Sequence, residues 1–147
     1  MLRDRNLIPL SHQHQHALAL CVQTDRSLQA GAADLEALQA QIRTMFNLEI
    51  RWHFAAEEEA LFPAAAAFAE LTPLVEQLRS EHAALRQYFA RAERRELDAA
   101  ALREFAGLLS THIRKEEREL FEACQLLFSA EKLAEVGAAL DAALHRT

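Results

Sequence analysis

A scarcity of helix breakers most constrains the fold of this chain, because its 147 residues include only three glycines and three prolines. About half of the residues are apolar, and alanine, leucine and glutamate, which are strong helix formers, are abundant. A many-stranded fold needs more turn-forming residues than these. The sequence therefore predicts an all-α protein, and its length suits one domain built around a single core.

Breakers and capping residues divide the sequence into five predicted helices. In chain order they run from Ser11 to Ala30, from Asp34 to about Phe62, from Thr72 to about Ala92, from Asp98 through Leu127, and from Glu131 to Leu144. The expected N-caps include Ser11, Asp34, Thr72 and Ser129. Gly31 is expected to end the first helix, and Pro63 to end or kink the second.

Short connections between long helices favour antiparallel neighbours. The predicted fold is therefore an up-down-up-down antiparallel four-helix bundle with a short additional C-terminal helix. We expect residues 1–147 to form a single domain, with the bundle at about 7–128 and the last helix at about 130–145.

Charge and cysteine usage exclude several classes of partner. The net charge is -6 and basic residues alternate with acidic ones, so we expect no nucleic-acid partner. Cys21 and Cys124 form no CxxC pair, which fits a reducing compartment. No apolar run reaches the roughly 18 residues that span a bilayer, and no secretory signal precedes the first helix. The sequence predicts a cytoplasmic protein with no membrane partner.

Two segments share the pattern H-x-x-x-E-E, which core packing alone does not require. In the second helix the pattern places His53 four residues before Glu57, and in the fourth it places His112 four residues before Glu116. Residues i and i+4 lie on one helix face. Both faces also carry apolar residues, namely Phe46, Ile50, Ala60 and Leu61 in one helix and Phe105, Leu108, Leu109 and Leu120 in the other. Buried carboxylates need a compensating charge, and a metal would supply it.

The first and third helices each offer one inward histidine. His82 shares its face with Val75, Leu78, Leu85 and Phe89. In the stretch SHQHQHAL, His14 shares a face with Leu18, Cys21 and Leu28, whereas the faces of His12 and His16 are polar. We therefore expect His14 to point inward and its two neighbours outward.

Four histidines and two glutamates over-supply a single metal ion. Two ions, each taking two imidazoles and sharing both glutamates as bridges, would use every ligand and leave open coordination positions for a small molecule. Mixed imidazole and carboxylate ligation suits iron, and also manganese or zinc, better than calcium or copper(I).

The chain resembles the hemerythrin-like proteins, or HHE cation-binding domain, over residues 7 to 128. The resemblance rests on LSHQHQHAL, HFAAEEEALFP, EHAALR and HIRKEERELF. It implies a four-helix bundle around an oxo- or hydroxo-bridged di-iron centre that binds dioxygen, nitric oxide or peroxide. The family's terminal ligands would be His14, His53, His82 and His112, and its bridges Glu57 and Glu116.

Two positions depart from the oxygen-carrying members of that family. Arg86 stands where they have a fifth histidine, and their fourth-helix carboxylate corresponds to Glu117 instead of Glu116. The set here is closer to members with four histidines and two HxxxE glutamates, which are associated with nitric oxide, iron handling or stress responses.

Three functional hypotheses follow. The first is a di-iron protein that binds a diatomic ligand or peroxide in sensing, stress response or iron handling. The second is an interaction module with a structural metal, zinc or mononuclear, and no redox chemistry. The third is a metal-free bundle in which Arg86 pairs with a core glutamate. Around the cluster, Glu49 is a candidate to orient a ligand. Glu58, Glu117 and Glu119 are expected to be solvated, although Glu119 falls near the face of His112 and could support it.

Overall fold

The computed structural model describes residues 1–31 and 33–145, which form five helices and no strand. The helices are α1 (Ile8–Gln29), α2 (35–66), α3 (Thr72–Glu93), α4 (99–127) and α5 (Ala130–Leu144). A short 3-10 turn at Ala69–Leu71 joins α2 to α3. The prediction of an all-α helical bundle is confirmed.

Several predicted helix ends are confirmed by side-chain caps. The side chains of Asp34, Asp98 and Ser129 each accept a hydrogen bond from the backbone N–H three residues later, at the starts of α2, α4 and α5. These bonds satisfy donors that the first helical turn leaves unpaired. Gly31 follows α1 with a φ of 74°, a left-handed conformation that stops a helix.

Two predicted N-caps are wrong. The α1 helix begins about one turn before Ser11, with Pro9 in its first turn, a position where the missing N–H of proline costs nothing. The Ser11 hydroxyl instead donates to the carboxylate of Glu117. Thr72 is the first residue of α3 rather than its cap, and its hydroxyl donates to the carbonyl oxygen of Ala66.

Three π turns interrupt the two helices that carry the H-x-x-x-E-E pattern. In α2 they lie at Phe46–Ile50 and Glu57–Leu61, and in α4 at Glu116–Leu120. Pro63 follows the second of these turns and the helix continues past it to residue 66. Two π turns thus begin at the same position of the repeated motif, and such turns are frequent at functional sites.

The apolar core consists of two clusters separated by a layer of buried polar side chains. We call the cluster that contains Leu78 of α3 the lower cluster, and the one that contains Leu85 of the same helix the upper cluster. His82 lies between these two residues on α3 and is buried. Leu133 and Val136 of α5 pack into the lower cluster, so the fifth helix closes that end of the core. No helix in the described ranges is long and apolar enough to cross a membrane.

Candidate metal centre

The buried polar layer brings together all six residues that the sequence singled out. Each of them is at least 96% buried: His14 from α1, His53 and Glu57 from α2, His82 from α3, and His112 and Glu116 from α4. His12 and His16 are exposed, as the helical-wheel argument predicted. Four helices therefore aim one imidazole each at a common point.

On one side of the layer, the imidazoles of α1 and α2 meet. The Nε2 atoms of His14 and His53 lie 3.1 Å apart. His14 Nε2 is also 3.0 Å from Glu116 Oε1, and His53 Nε2 is 3.4 Å from Glu57 Oε1. We name His14, His53, Glu57 and Glu116 the first ligand group.

On the other side, the imidazoles of α3 and α4 approach the same two carboxylates. His82 Nε2 lies 3.2 Å from Glu57 Oε1, and His112 Nε2 lies 3.4 Å from Glu116 Oε2. We name Glu57, His82, His112 and Glu116 the second ligand group. In each group the candidate ligand atoms lie within 4.8 Å of one another, and the two groups share both glutamates.

The residues present fit a bound cation. Five of their buried atoms have no hydrogen-bond partner within the described part of the chain, namely both oxygens of Glu57, Nε2 of His82, Nε2 of His112 and Oε2 of Glu116. Buried polar atoms are nearly always paired, and leaving a carboxylate oxygen unpaired away from water is costly. Imidazole nitrogens and carboxylate oxygens are the donor types that transition metals take in proteins.

The outer nitrogen of three imidazoles donates to a carboxylate. Glu117 Oε2 lies 2.6 Å from Nδ1 of His14, and Glu58 Oε2 lies 2.7 Å from Nδ1 of His82. Glu81 Oε1 lies 2.8 Å from Nδ1 of His112. These bonds orient the rings and direct Nε2 inward.

The fourth imidazole has a neutral partner. His53 Nδ1 donates to the side-chain oxygen of Gln13, 2.8 Å away. Gln13 immediately precedes His14 on α1. This helix therefore contributes one imidazole to the layer and, from the adjacent residue, the partner of the α2 imidazole.

Arg3 reaches the neighbourhood of His14 from the N-terminal segment. Its guanidinium donates to the carbonyl oxygen of Glu117 at 2.9 Å and to the Glu117 carboxylate at 3.3 Å. It also lies 5.2 Å from the ring centroid of Phe121, the ring that stacks on His14. Arg3 thus contacts both the hydrogen-bond partner of His14 and its stacking partner.

The two inward glutamates have opposite electrostatic properties. Burial raises the pKa of Glu57 well above its usual range, and the negative charge of Glu116 raises it further. Burial also opposes ionisation of Glu116, but the nearby His112 and His14 hold its pKa well below the usual range. In the protein without metal, one carboxylate favours the protonated form and the other the charged form.

The histidines of the two motifs also differ. Burial lowers the pKa of His53 well below its ordinary value, and the neighbouring His14 lowers it further. Burial acts in the same direction on His112, but Glu116 and Glu81 outweigh it and raise its pKa to about 9.

Sequence reasoning missed the outer partners of the imidazoles. Glu58 and Glu117, which we expected to be solvated, bind His82 and His14. Arg86 pairs with Glu58 and not with a core glutamate. One signal could have found part of this set, since Glu58 and Glu117 occupy the same position in the repeated H-x-x-x-E-E pattern.

Of two further expectations, one is wrong and one is confirmed. Glu49 does not orient a ligand, because its carboxylate lies 2.9 Å from Nδ1 of the exposed His16. Glu119 is exposed, as expected, and the partner of His112 is Glu81. No sequence motif points to Gln13 or Glu81. Their contacts with His53 and His112 depend on how neighbouring helices pack together.

The family model of the hemerythrin HHE cation-binding domain matches residues 9–124. No curated protein and no solved structure matched the chain. The matched range contains all six buried residues and covers most of the sequence, and we conclude that the chain belongs to the hemerythrin HHE cation-binding domain family.

Proposed function

We propose that this protein binds two iron ions in its buried polar layer and uses them to bind dioxygen, nitric oxide or peroxide. In this proposal His14 and His53 would be terminal ligands of one ion, and His82 and His112 of the other. Glu57 and Glu116 would be the carboxylates that both ions share. Manganese or zinc could occupy the same ligands.

The observation that carries the proposal is the set of buried atoms without hydrogen-bond partners. They belong to Glu57, His82, His112 and Glu116 and lie at the centre of the layer. These atoms all belong to the second ligand group, so one ion there would satisfy them. A second ion is supported by the first group, where His14 and His53 each donate from Nδ1 and aim their Nε2 atoms at each other, 3.1 Å apart.

A bridged pair of iron ions supplies redox-active coordination positions for small molecules. The chain contributes the surroundings. Its outer carboxylates keep a proton on Nδ1 of three imidazoles and so direct the Nε2 lone pairs inward. A narrow cavity borders His14, His53 and His112, and most of its remaining lining is apolar. The cavity has space for about one water-sized molecule, and its apolar lining disfavours bulk water.

The helix order and cellular location are also parts of this proposal. Phe46 of α2 stacks on Phe89, near the end of α3. Phe62, later in α2, lies beside His82, earlier in α3. These contacts support antiparallel packing, and with it the up-down-up-down bundle in a single domain. A cytoplasmic location remains a prediction from cysteine usage. Sensing, stress response or iron handling would be the biological outcome.

Metal analysis tests the proposal directly. Protein produced in iron-supplemented cells should contain about two irons per chain and absorb in the near-ultraviolet and visible through ligand-to-iron charge transfer. The double variant H53A/H112A should lose the iron. The matched variant H12A/H16A removes two exposed histidines and should retain it.

Colourless wild-type protein with no metal would contradict the proposal. One zinc ion per chain and no visible absorption would favour the structural-metal hypothesis instead. Iron loss in H12A/H16A would contradict the assignment of His14 as the α1 ligand.

A further inference from the structure

The four imidazoles differ in the group that accepts a hydrogen bond from their Nδ1 atom. Three donate from Nδ1 to a carboxylate, and His53 donates to the amide oxygen of Gln13. The carboxylate partners, each from a helix next to its histidine, are Glu117 for His14, Glu58 for His82 and Glu81 for His112.

Each outer carboxylate also has a cation of its own. Arg86 binds Glu58 through two hydrogen bonds of 2.6 and 2.9 Å. Lys115 donates to the second oxygen of Glu81, and Arg3 donates to Glu117. Arg86 and Lys115 therefore fix both carboxylates that serve the second ligand group.

A carboxylate partner strengthens a metal-bound imidazole more than an amide does. Its negative charge raises the basicity of the ring and favours the positive charge that the metal places on it, and such partners typically change metal affinity by about 10- to 100-fold. An amide oxygen fixes the ring orientation but carries no net charge. His53 is accordingly the imidazole with the weakest electrostatic support.

The carboxylate partners are distributed unequally between the two ligand groups. The second group contains two imidazoles with ion-paired carboxylates, whereas the first contains one such imidazole and His53. We propose that the two metal positions retain their ions unequally, that the first ligand group releases its ion sooner, and that Gln13 is the positioning residue that sets the difference. This inference rests on the proposed occupancy by two irons.

Stepwise removal of iron tests the inference. Protein loaded with two ferrous ions per chain under nitrogen is mixed with a coloured ferrous chelator, and release is followed by absorbance. We expect two phases of equal amplitude, one iron each. The variant Q13E places a carboxylate against His53 and should slow the fast phase by about 10-fold.

The control is Q15E, which makes the same change in charge at an exposed position of α1 and should leave both phases unchanged. The reciprocal variant E81Q makes the partner of His112 neutral and should accelerate the slow phase by about 10-fold. It tests the same idea if Q13E folds poorly.

The possible contrary results distinguish failure of this inference from failure of the proposed function. Two irons that leave in a single phase overturn the inference alone, and so does a Q13E variant that behaves like Q15E while E81Q leaves the slow phase unchanged. A wild-type protein that never takes up two irons overturns both this inference and the proposed function.

Discussion

The α2 and α4 helices carry the same H-x-x-x-E-E pattern, and the inward parts of the two copies are used alike. In each, the histidine and the first glutamate enter the buried layer, and a π turn begins at that glutamate. The outward parts differ. The histidine of α2 donates to the neutral Gln13 and that of α4 to the negative Glu81.

The second glutamates of the two motifs also serve different neighbours. Glu58 binds the imidazole of α3 and Glu117 binds that of α1. Identical local spacing thus places the same two residue types inward, whereas the residues packed against each motif determine the charge around it. The opposite pKa shifts of Glu57 and Glu116 are the largest consequence.

The largest effect is expected from making each inward glutamate neutral. Both E57Q and E116Q should abolish binding of the two irons, because each removes a shared ligand. Without metal the variants should differ. At neutral pH, E57Q resembles the protonated form that Glu57 favours and should leave the free energy of unfolding within about 1 kcal/mol. E116Q breaks a buried ion pair and should lower it by about 3 kcal/mol.

Urea denaturation in the presence of a chelator measures that difference, and iron content measures the loss of binding. Equal destabilisation by the two substitutions would show that the motifs are electrostatically equivalent. Retention of two irons by either variant would contradict its role as a bridge.

The two motif histidines should give the metal-free protein opposite pH responses. The pKa of His112 is raised to about 9 from 6.5, so the native state holds a proton that the unfolded chain releases. This stabilisation is complete below pH 6.5 and is lost as pH rises through about 9, a change of about 3 kcal/mol. The lowered pKa of His53 makes its contribution fall as pH decreases below 6.5.

Unfolding free energies measured with chelator between pH 5 and 10 in H112Q and H53Q separate these effects. H112Q should flatten the alkaline decline, and H53Q should leave it in place. An alkaline decline that persists undiminished in H112Q would assign it to another group.

Neutralising the second glutamate of each motif should affect the two ligand groups differently. E117Q and E58Q should each weaken iron binding by about 10- to 100-fold, but at different positions. E117Q leaves the first ligand group without any carboxylate-supported imidazole, so it should release one iron more readily than E58Q does. Equilibrium titration with a chelator of known affinity measures both. Indistinguishable titration curves would contradict the pairing of each glutamate with its own ligand group.

The smallest effect is expected from replacing Arg3, the cation that pairs with Glu117. R3A removes an ion pair to Glu117 and a contact with Phe121, and should lower the free energy of unfolding by about 1 kcal/mol. The exposed Arg5 of the same segment is the matched control, and R5A should change it by less than about 0.5 kcal/mol. Thermal and urea denaturation of both variants provide the measurement. Similar values for the two would remove Arg3 from the support of His14.

Much of the fold and of the inward site could be predicted from the sequence, because both depend on helical periodicity. The 3.6-residue repeat distinguishes His14 from His12 and His16, and it places Glu57 beside His53. Asp34 caps α2 as its side-chain chemistry predicts. These properties belong to a single helix and need no knowledge of its neighbours.

The starts of α1 and α3 were harder to predict because tertiary contacts compete for the capping side chains. Ser11 donates its hydroxyl to Glu117 on another helix, and Thr72 donates to the end of α2. The π turns also escape a periodicity argument, since they displace the hydrogen-bond pattern without changing which residues are apolar.

An all-α protein with four inward histidines and two inward glutamates follows from the sequence, because side-chain direction along a helix is set by the backbone geometry of that helix. The outer group that supports each imidazole, and the charge on each glutamate, depend on how the helices pack together. Those properties depend on distances of about 3 Å between different helices, and on the burial that makes such contacts strong.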